Sequence, residues 1–261
     1  MPPWKQLPNY IDAFGVAAGA GLFSAIHLKQ RAFGSLFAIR RGRRKIWLRN
    51  TPSDTSIFFQ IMVKREYDTR CWPVLHERLA NEYARLVERR CKPIIIDAGA
   101  NIGLASLWFA ELFPESTIYA IEPDEGNLSV LRRNVCGVSN IIPVAGAVWD
   151  QPSRLRITNP TAGAGAFRVE EGVGDIRSYT ISELANAYRG LFIVKIDIEG
   201  GEAGLFRSNT QWLEAVHLSI LELHDWLYPG QGTSHNFLRA ISDREVDFVF
   251  NGENVFCFRS D

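Results

Sequence analysis

Seven residues of this 261-residue chain have types and spacings suited to chemistry: Asp97, Glu122, Lys195, Asp197, Glu199, Glu222 and His224. Side chains two apart on a strand share a face, so Lys195, Asp197 and Glu199 are expected to point one way, as are Glu222 and His224. If the two strands are neighbours, two acids, a further Glu and a His meet in one pocket. His224 is the candidate general base, because an imidazole titrates near operating pH; a His hydrogen-bonded inside a loop is the alternative. Asp197 would orient an acceptor hydroxyl or contact a cofactor amine. Lys195 would pair with an acid or with an anionic acceptor. Glu199 would join the cluster or act as an acid at the N-terminus of a helix beginning near Gly200. The same carboxylate–imidazole set suits a divalent cation. The sequence does not separate that from direct base catalysis, and no metal is assigned. Arg65 and Tyr67, in KREYD, are candidates to close over the pocket.

A second constellation is Asp97-Ala98-Gly99-Ala100-Asn101-Ile102-Gly103, followed 25 residues after Asp97 by Glu122. Glycines let the backbone turn tightly and let a ligand approach the main chain. The turn departs from GxGxxG, because Asn101 stands where a dinucleotide loop needs a second Gly for its pyrophosphate. An acid at the position of Glu122 accepts hydrogen bonds from ribose hydroxyls and repels a 2′-phosphate. An adenosine ligand without a pyrophosphate satisfies both observations. S-adenosylmethionine is such a ligand, and its sulfonium suits acidic surroundings. The alternative is that Asp97 and Glu122 only cap the helices that follow them.

These residues need a frame that brings them together. PIIID (93–97) is a continuous apolar run, as expected of a strand covered on both faces. LASLWFAELF (104–113) reads as a buried helix, STIYAIEP (116–123) as a strand and DEGNLSVLRRNV (124–135) as a helix. IIPVAGAVW (141–149) is a third strand, and a polar insertion (150–178) follows in which RLRIT and FRVEE pair as a hairpin. SELANAYR (182–189) reads as a helix, LFIVKIDIEG (191–200) as a strand and EAGLFRSNTQWL (202–213) as a helix. HLSILELHD (217–225) is a strand and HNFLRAIS (235–242) a helix. VDFVF and NVFCFR flank Asn251-Gly252, a hairpin turn. The alternation predicts an α/β fold, a doubly wound and mainly parallel seven-stranded sheet of Rossmann-like type with an antiparallel edge hairpin. Ligands of such sheets sit beyond the strands' carboxyl ends, where the residues above fall.

The charge is uneven. Residues 1–93 hold 17 Lys and Arg against 7 Asp and Glu, and residues 94–261 hold 12 against 22. A neutral total argues against a nucleic-acid binder. LFAIRRGRRKIWL (36–48) reads as two strands around a Gly turn, with five basic residues between Arg40 and Lys45. That cluster is a solvated hairpin tip or a patch facing an anionic acceptor or a membrane surface. SDTSIFFQIMVKREYD precedes a helix over 74–90. The apolar run 13–26 is shorter than the roughly 20 residues of a membrane span; it reads as a docked helix or a flexible leader, with contact to a membrane surface as the alternative. Three parts are expected: a leader (1–35), a hairpin and helical extension (36–92) and the sheet domain (93–261). Cys71, Cys91, Cys136 and Cys257 are scattered, without zinc spacing, as in proteins of a reducing, cytoplasmic compartment.

DAGANIGLASLWFAELFP, IEPDEGN, AGAVWD, VKIDIEGGE and LELHD, in this order, resemble the FkbM family of S-adenosylmethionine-dependent methyltransferases. The likeness covers roughly residues 48–258. It implies that Asp97, Gly99, Ala100, Asn101 and Gly103 form the methionine-side loop, that Glu122 holds the ribose and that Ala147 lies near adenine, and the usual strand order of such methyltransferases makes the strand of Lys195 and Asp197 a neighbour of the strand of Glu222 and His224. It also implies O-methylation of a sugar, glycoconjugate or secondary metabolite, which no spacing shows. Two other classes stand beside it: a non-catalytic adenosine-ligand module, and an NAD-dependent oxidoreductase, disfavoured by Asn101 and by the lack of a Tyr-x-x-x-Lys pair.

Overall fold

A computed structural model describes residues 3–28, 36–42, 44–158 and 169–260. Arg43 of the basic cluster, residues 29–35 of the leader, and Phe167 and Arg168 of the expected hairpin lie outside the described residues. In chain order, helices α1 (Leu7–Phe14) and α2 (Val16–Phe23) precede the hairpin β1 (Leu36–Arg41) and β2 (Arg44–Arg49). Gly15, at φ +80, breaks the apolar run into two helices. Among the described residues no helix is long and apolar enough to cross a membrane. Helix α3 (Pro52–Phe58) continues into a wider turn over 59–63, and the long helix α4 (Pro73–Glu88) follows.

The sheet is built from β3 (Ile94–Ala98), β4 (Thr117–Glu122) and β5 (Ile141–Ala145), joined through α5 (Leu104–Leu112) and α6 (Glu125–Asn134). The chain then leaves it. Strands β6 (Ala147–Val148), β7 (Arg154–Ile157), β8 (Val169–Glu171) and β9 (Ile176–Tyr179) form a small second sheet in the order β6-β9-β7-β8. The expected strand 141–149 is thus two strands in two sheets. Gly146 makes the break: its φ is +147, and a Cβ there would meet the Arg177 carbonyl. The expected pairing of RLRIT with the end of FRVEE is present, with Leu155 opposite Glu171.

Helix α7 (Ile181–Leu184) starts on a Thr180–Glu183 capping box but ends four residues on, short of the expected 189. Asn186, Ala187 and Tyr188 all adopt positive φ, and this left-handed run delivers Gly190, whose carbonyl accepts from Ile94 N. Strand β10 (Leu191–Ile196), short helices α8 (Glu202–Leu205) and α9 (Trp212–Ala215), strand β11 (Leu218–Glu222), helix α10 (His235–Ile241) and the hairpin β12 (Val246–Asn251) and β13 (Asn254–Arg259) complete the chain. The expected helix 202–213 is therefore two single turns.

The main sheet has the order β12-β13-β11-β10-β3-β4-β5, and β13 alone runs against the others. Neighbouring residues alternate between its faces. Ile95, Phe192 and Ile220 join a core that includes Tyr10 and Phe23 of the leader, Ile46 and Leu48 of the hairpin, and Phe109 of α5. Ile96, Val194 and Leu221 join a second core with Trp212 and Phe237. The leader helices are thus docked on the first face. Strand order reverses direction between β3 and β10, so a crevice opens beyond their carboxyl ends.

Candidate active site

The loop after β3 is shaped by left-handed residues: Gly99 at φ +77, Asn101 at +49 and Gly103 at +83. A Cβ on Gly99 would run into the carbonyl of Asp197, so only glycine lets the β3 and β10 ends approach this closely. Gly99 N and Ala100 N donate to Ile121 O at 3.0 and 2.9 Å, which ties the turn to β4. Asp97, fully buried, accepts from Ser106 Oγ at 2.6 Å and pairs with Lys195 Nζ at 3.2 Å. It caps no helix.

Glu122 ends β4 with 4% of its surface exposed. Its carboxylate accepts from Asn101 N at 2.8 Å, Asp124 N at 3.0 Å and Asn127 Nδ2 at 3.1 Å. A carboxylate has about four acceptor directions, so one remains for a ligand. Burial pushes its pKa up to about 7, against the pull of these donors. The helix cap here is Asp124, which accepts from Asn127 N. Asn127 Oδ1 in turn accepts from Arg49 at 2.7 Å, and Arg49 also grips the buried Asp54. Sequence reading missed Asn127 and this link from the extension; the clue was an unmatched Asn one turn into the helix after a strand-end acid.

Lys195 is buried between strand ends. Its ammonium donates to Gly99 O at 2.8 Å and lies 3.2 Å from Asp97 and 3.4 Å from Asp197. Burial alone would lower its pKa, but Asp97 and Asp197 hold it well above the ordinary lysine value. Of the two roles expected for it, pairing with acids is the one the geometry provides.

Strand β10 ends at Ile196, so the two-residue alternation does not carry through Glu199, which takes φ +52 in a tight turn. The acids converge nonetheless. His224, 1% exposed, sits just beyond β11 with Nδ1 2.9 Å from Oε1 of the fully buried Glu202. A carboxylate only accepts, so Nδ1 carries the proton and Nε2 faces the cluster. Nε2 lies 3.6 Å from Glu199, 3.7 Å from Glu222 and 3.8 Å from Asp197. Burial lowers the imidazole pKa, but Glu202, Asp197 and Glu199 outweigh it and raise it to about 9. Burial and the neighbouring Asp197 push Glu199 up to about 7 and Glu222 up to about 8. The premise of an ordinary pKa for His224 does not hold in this setting. Glu202 was absent from the sequence reading; its signal was that a buried His needs an acceptor for its second nitrogen.

Two cavities open here. One, about 510 Å³ including space open to solvent, runs past Gly99, Glu122, Ala147, Val148 and Val169. The other, about 1190 Å³ by the same measure, is walled by Ile57, Tyr67, Lys195, Glu222, Trp226 and Asn254, with Glu66 and Glu253 also on its lining. They share Gly99, Asn101, Asp197 and Glu199. Tyr67 therefore borders the second cavity as expected, buried so that its pKa is raised. Arg65 does not; it donates to Ala13 O at 2.8 Å and holds the leader. Arg41, Arg44 and Lys45 line a separate groove with Arg133, remote from the strand carboxyl ends, and Arg41 pairs with Glu111 at 2.6 Å. None of the described residues of the basic hairpin lines either cavity.

The sequence profile of the methyltransferase FkbM domain matches residues 97–250, more than half of the chain. The chain belongs to the FkbM methyltransferase family. Methyltransferase sdnD of Sordaria araneosa is 49% identical over 43 residues, 16% of this chain and 17% of that protein. Methyltransferase 1 of Beauveria bassiana is 24% identical over 162 residues, 60% of this chain and 61% of that protein. The matches thus span less than two thirds of either relative's length. A crystal structure of an FkbM methyltransferase from Methylobacillus flagellatus superposes with a TM-score of 0.44 at 17% identity, covering 64% of this chain and 43% of that one. FkbM membership implies S-adenosylmethionine as methyl donor.

Proposed function

We propose that the chain transfers a methyl group from S-adenosylmethionine to a hydroxyl oxygen of a sugar, glycoconjugate or secondary metabolite. The observation that carries this reading is the wall of Gly99, Asn101, Asp197 and Glu199 common to the two cavities. A donor in one and an acceptor in the other would meet across it, as a displacement with near-collinear partners requires. S-adenosylmethionine, when bound, supplies a methyl on a positively charged sulfur.

The residues fit that group. Glu122 keeps an open acceptor direction at the ribose end, Ala147, Val148 and Val169 offer an apolar slot for a base, and the backbone at Gly99 admits close approach. Asp197 and Glu199 give the shared wall carboxylates, and a sulfonium beside them would favour the ionised form of Glu199. On the acceptor side Lys195 is the only cation among the described lining residues, and it is already held by Gly99 O, Asp97 and Asp197. An anionic group on the reacting oxygen would therefore meet Glu66, Glu199, Glu222 and Glu253. A neutral polyhydroxyl acceptor fits better, and the exposed Trp226 at the mouth gives its ring or chain an apolar face. The acidic cluster around His224 is where the hydroxyl proton would be taken up. A cytoplasmic location belongs to the same reading, supported by four unpaired cysteines.

Calorimetry with S-adenosylhomocysteine and NAD, followed by transfer of labelled methyl to a panel of polyols, tests the proposal. Binding of S-adenosylhomocysteine alone is expected. Binding of NAD instead, or of neither, would sink it.

A further inference from the structure

The Asp197–Glu199–His224 cluster has a feature that base catalysis does not need. Among the described residues these three form the group whose His and carboxylate ligand atoms lie within 4.8 Å of one another. Glu222 approaches the same imidazole nitrogen at 3.7 Å. None of these contacts is a hydrogen bond, because each exceeds ordinary bonding distance. The His224 ring is 1% exposed, its Nδ1 is anchored on buried Glu202, and its Nε2, where a cation would take the place of a proton, is aimed into converging carboxylates. Ligands about 2.1 Å from one ion stand roughly 3.0–3.4 Å apart in octahedral and tetrahedral geometry. The observed 3.6–3.8 Å spacing around Nε2 reaches that range with small side-chain movements. The Glu202–His224 pair supplies the outer half of a site: a carboxylate that fixes the tautomer and strengthens the ring nitrogen as a ligand.

We propose that Asp197, Glu199 and His224 Nε2 bind a first-row divalent metal ion, with Glu222 as a fourth or alternate ligand. One imidazole nitrogen among carboxylate oxygens favours Mn²⁺, Fe²⁺, Co²⁺ or Zn²⁺ over Mg²⁺ and Ca²⁺, which prefer oxygen throughout. Asp197 and Glu199 belong to the wall shared by the cavities while His224 lies buried behind it, so open coordination positions would take oxygens of the acceptor. That part rests on the methyl-transfer reading and narrows it: the acceptor would present two adjacent neutral oxygens, as in a vicinal diol. In this assignment His224 is a ligand and not the base.

The test is Mn²⁺ titrated into chelator-stripped full-length protein without cofactor or acceptor, with free Mn²⁺ read by electron paramagnetic resonance. One Mn²⁺ per chain is expected, displaced by Zn²⁺ and not by equal Mg²⁺. Glu199→Gln and His224→Asn should each weaken binding by at least about tenfold, and Glu202→Gln by roughly 10–100-fold through the anchored ring. Glu199 is partly exposed, so its variant carries the test if His224→Asn does not fold. No saturable binding of Mn²⁺ or Zn²⁺, or unchanged affinity in the folded variants, overturns the site. S-adenosylhomocysteine binding without ion binding would overturn this inference and leave methyl transfer standing; ion binding without S-adenosylhomocysteine binding would do the reverse.

Discussion

Glu122 and the cluster around His224 use the same chemical groups to opposite ends. Glu122 is met by three donors from Asn101, Asp124 and Asn127, so its carboxylate is fixed in place before any ligand arrives. Asp197, Glu199 and Glu222 crowd one imidazole nitrogen with no donor between them and it. One region is satisfied and rigid, which suits recognition of an invariant cofactor. The other is electrostatically incomplete, which suits a site finished by something that enters. Carboxylates gathered this closely repel one another, so the second arrangement is one to expect where a cation or proton belongs to the working state.

The sharpest way to break this contrast is at the wall the regions share. Gly99→Ala puts a side chain against the Asp197 carbonyl in a left-handed backbone. It should destabilise the fold by about 3 kcal/mol and abolish S-adenosylhomocysteine binding, measured by melting and calorimetry. Next, His224→Asn should lower turnover by roughly 10²-fold while S-adenosylhomocysteine affinity stays within about twofold. A parallel loss of affinity would show that the two regions are one. Glu122→Ala should do the opposite, weakening S-adenosylhomocysteine by roughly 10²-fold through lost charged hydrogen bonds.

Protonation gives a milder probe. Burial raises the Glu122 pKa to about 7, so the empty site favours the protonated form below that value. Ribose hydroxyls donate to the ionised form. S-adenosylhomocysteine affinity should therefore fall as pH drops from 8 to 6, by about tenfold at most, with proton release on binding at the acid end. Calorimetry in buffers of different ionisation enthalpy reads that proton; no release would place Glu122 outside the ligand contacts. The smallest effect expected is for Trp226→Ala, a rise of a few fold in acceptor KM with cofactor affinity unchanged.

Strands were legible because their burial is written into continuous apolar runs such as PIIID and LFIV, and the acids at their ends followed from the strand boundaries. Short helices were not. SELANAYR has good helical composition, yet tertiary docking turns Asn186–Tyr188 left-handed. The break at Gly146 was hidden because IIPVAGAVW is apolar throughout, and which sheet a strand joins depends on residues far along the chain. In the site, each candidate acid and His224 lies beside a cavity or its buried support. What periodicity could not supply were the partners: Glu202 behind His224, Asn127 behind Glu122 and three acids around one nitrogen. Those are distances across elements, and they decide the charge states that residue type alone leaves open.

Arg65 holds the leader at Ala13, and Tyr10 packs against Phe59 at 5.7 Å between ring centres. The segment they clamp, 53–67, forms one wall of the acceptor cavity and none of the crevice beside Glu122. Under the proposed function, acceptor choice would have its own adjusting screw, placed ahead of the 97–250 segment that matches the family profile. A substitution in the leader would on that reading retune the second cavity while the crevice beside Glu122 stays untouched.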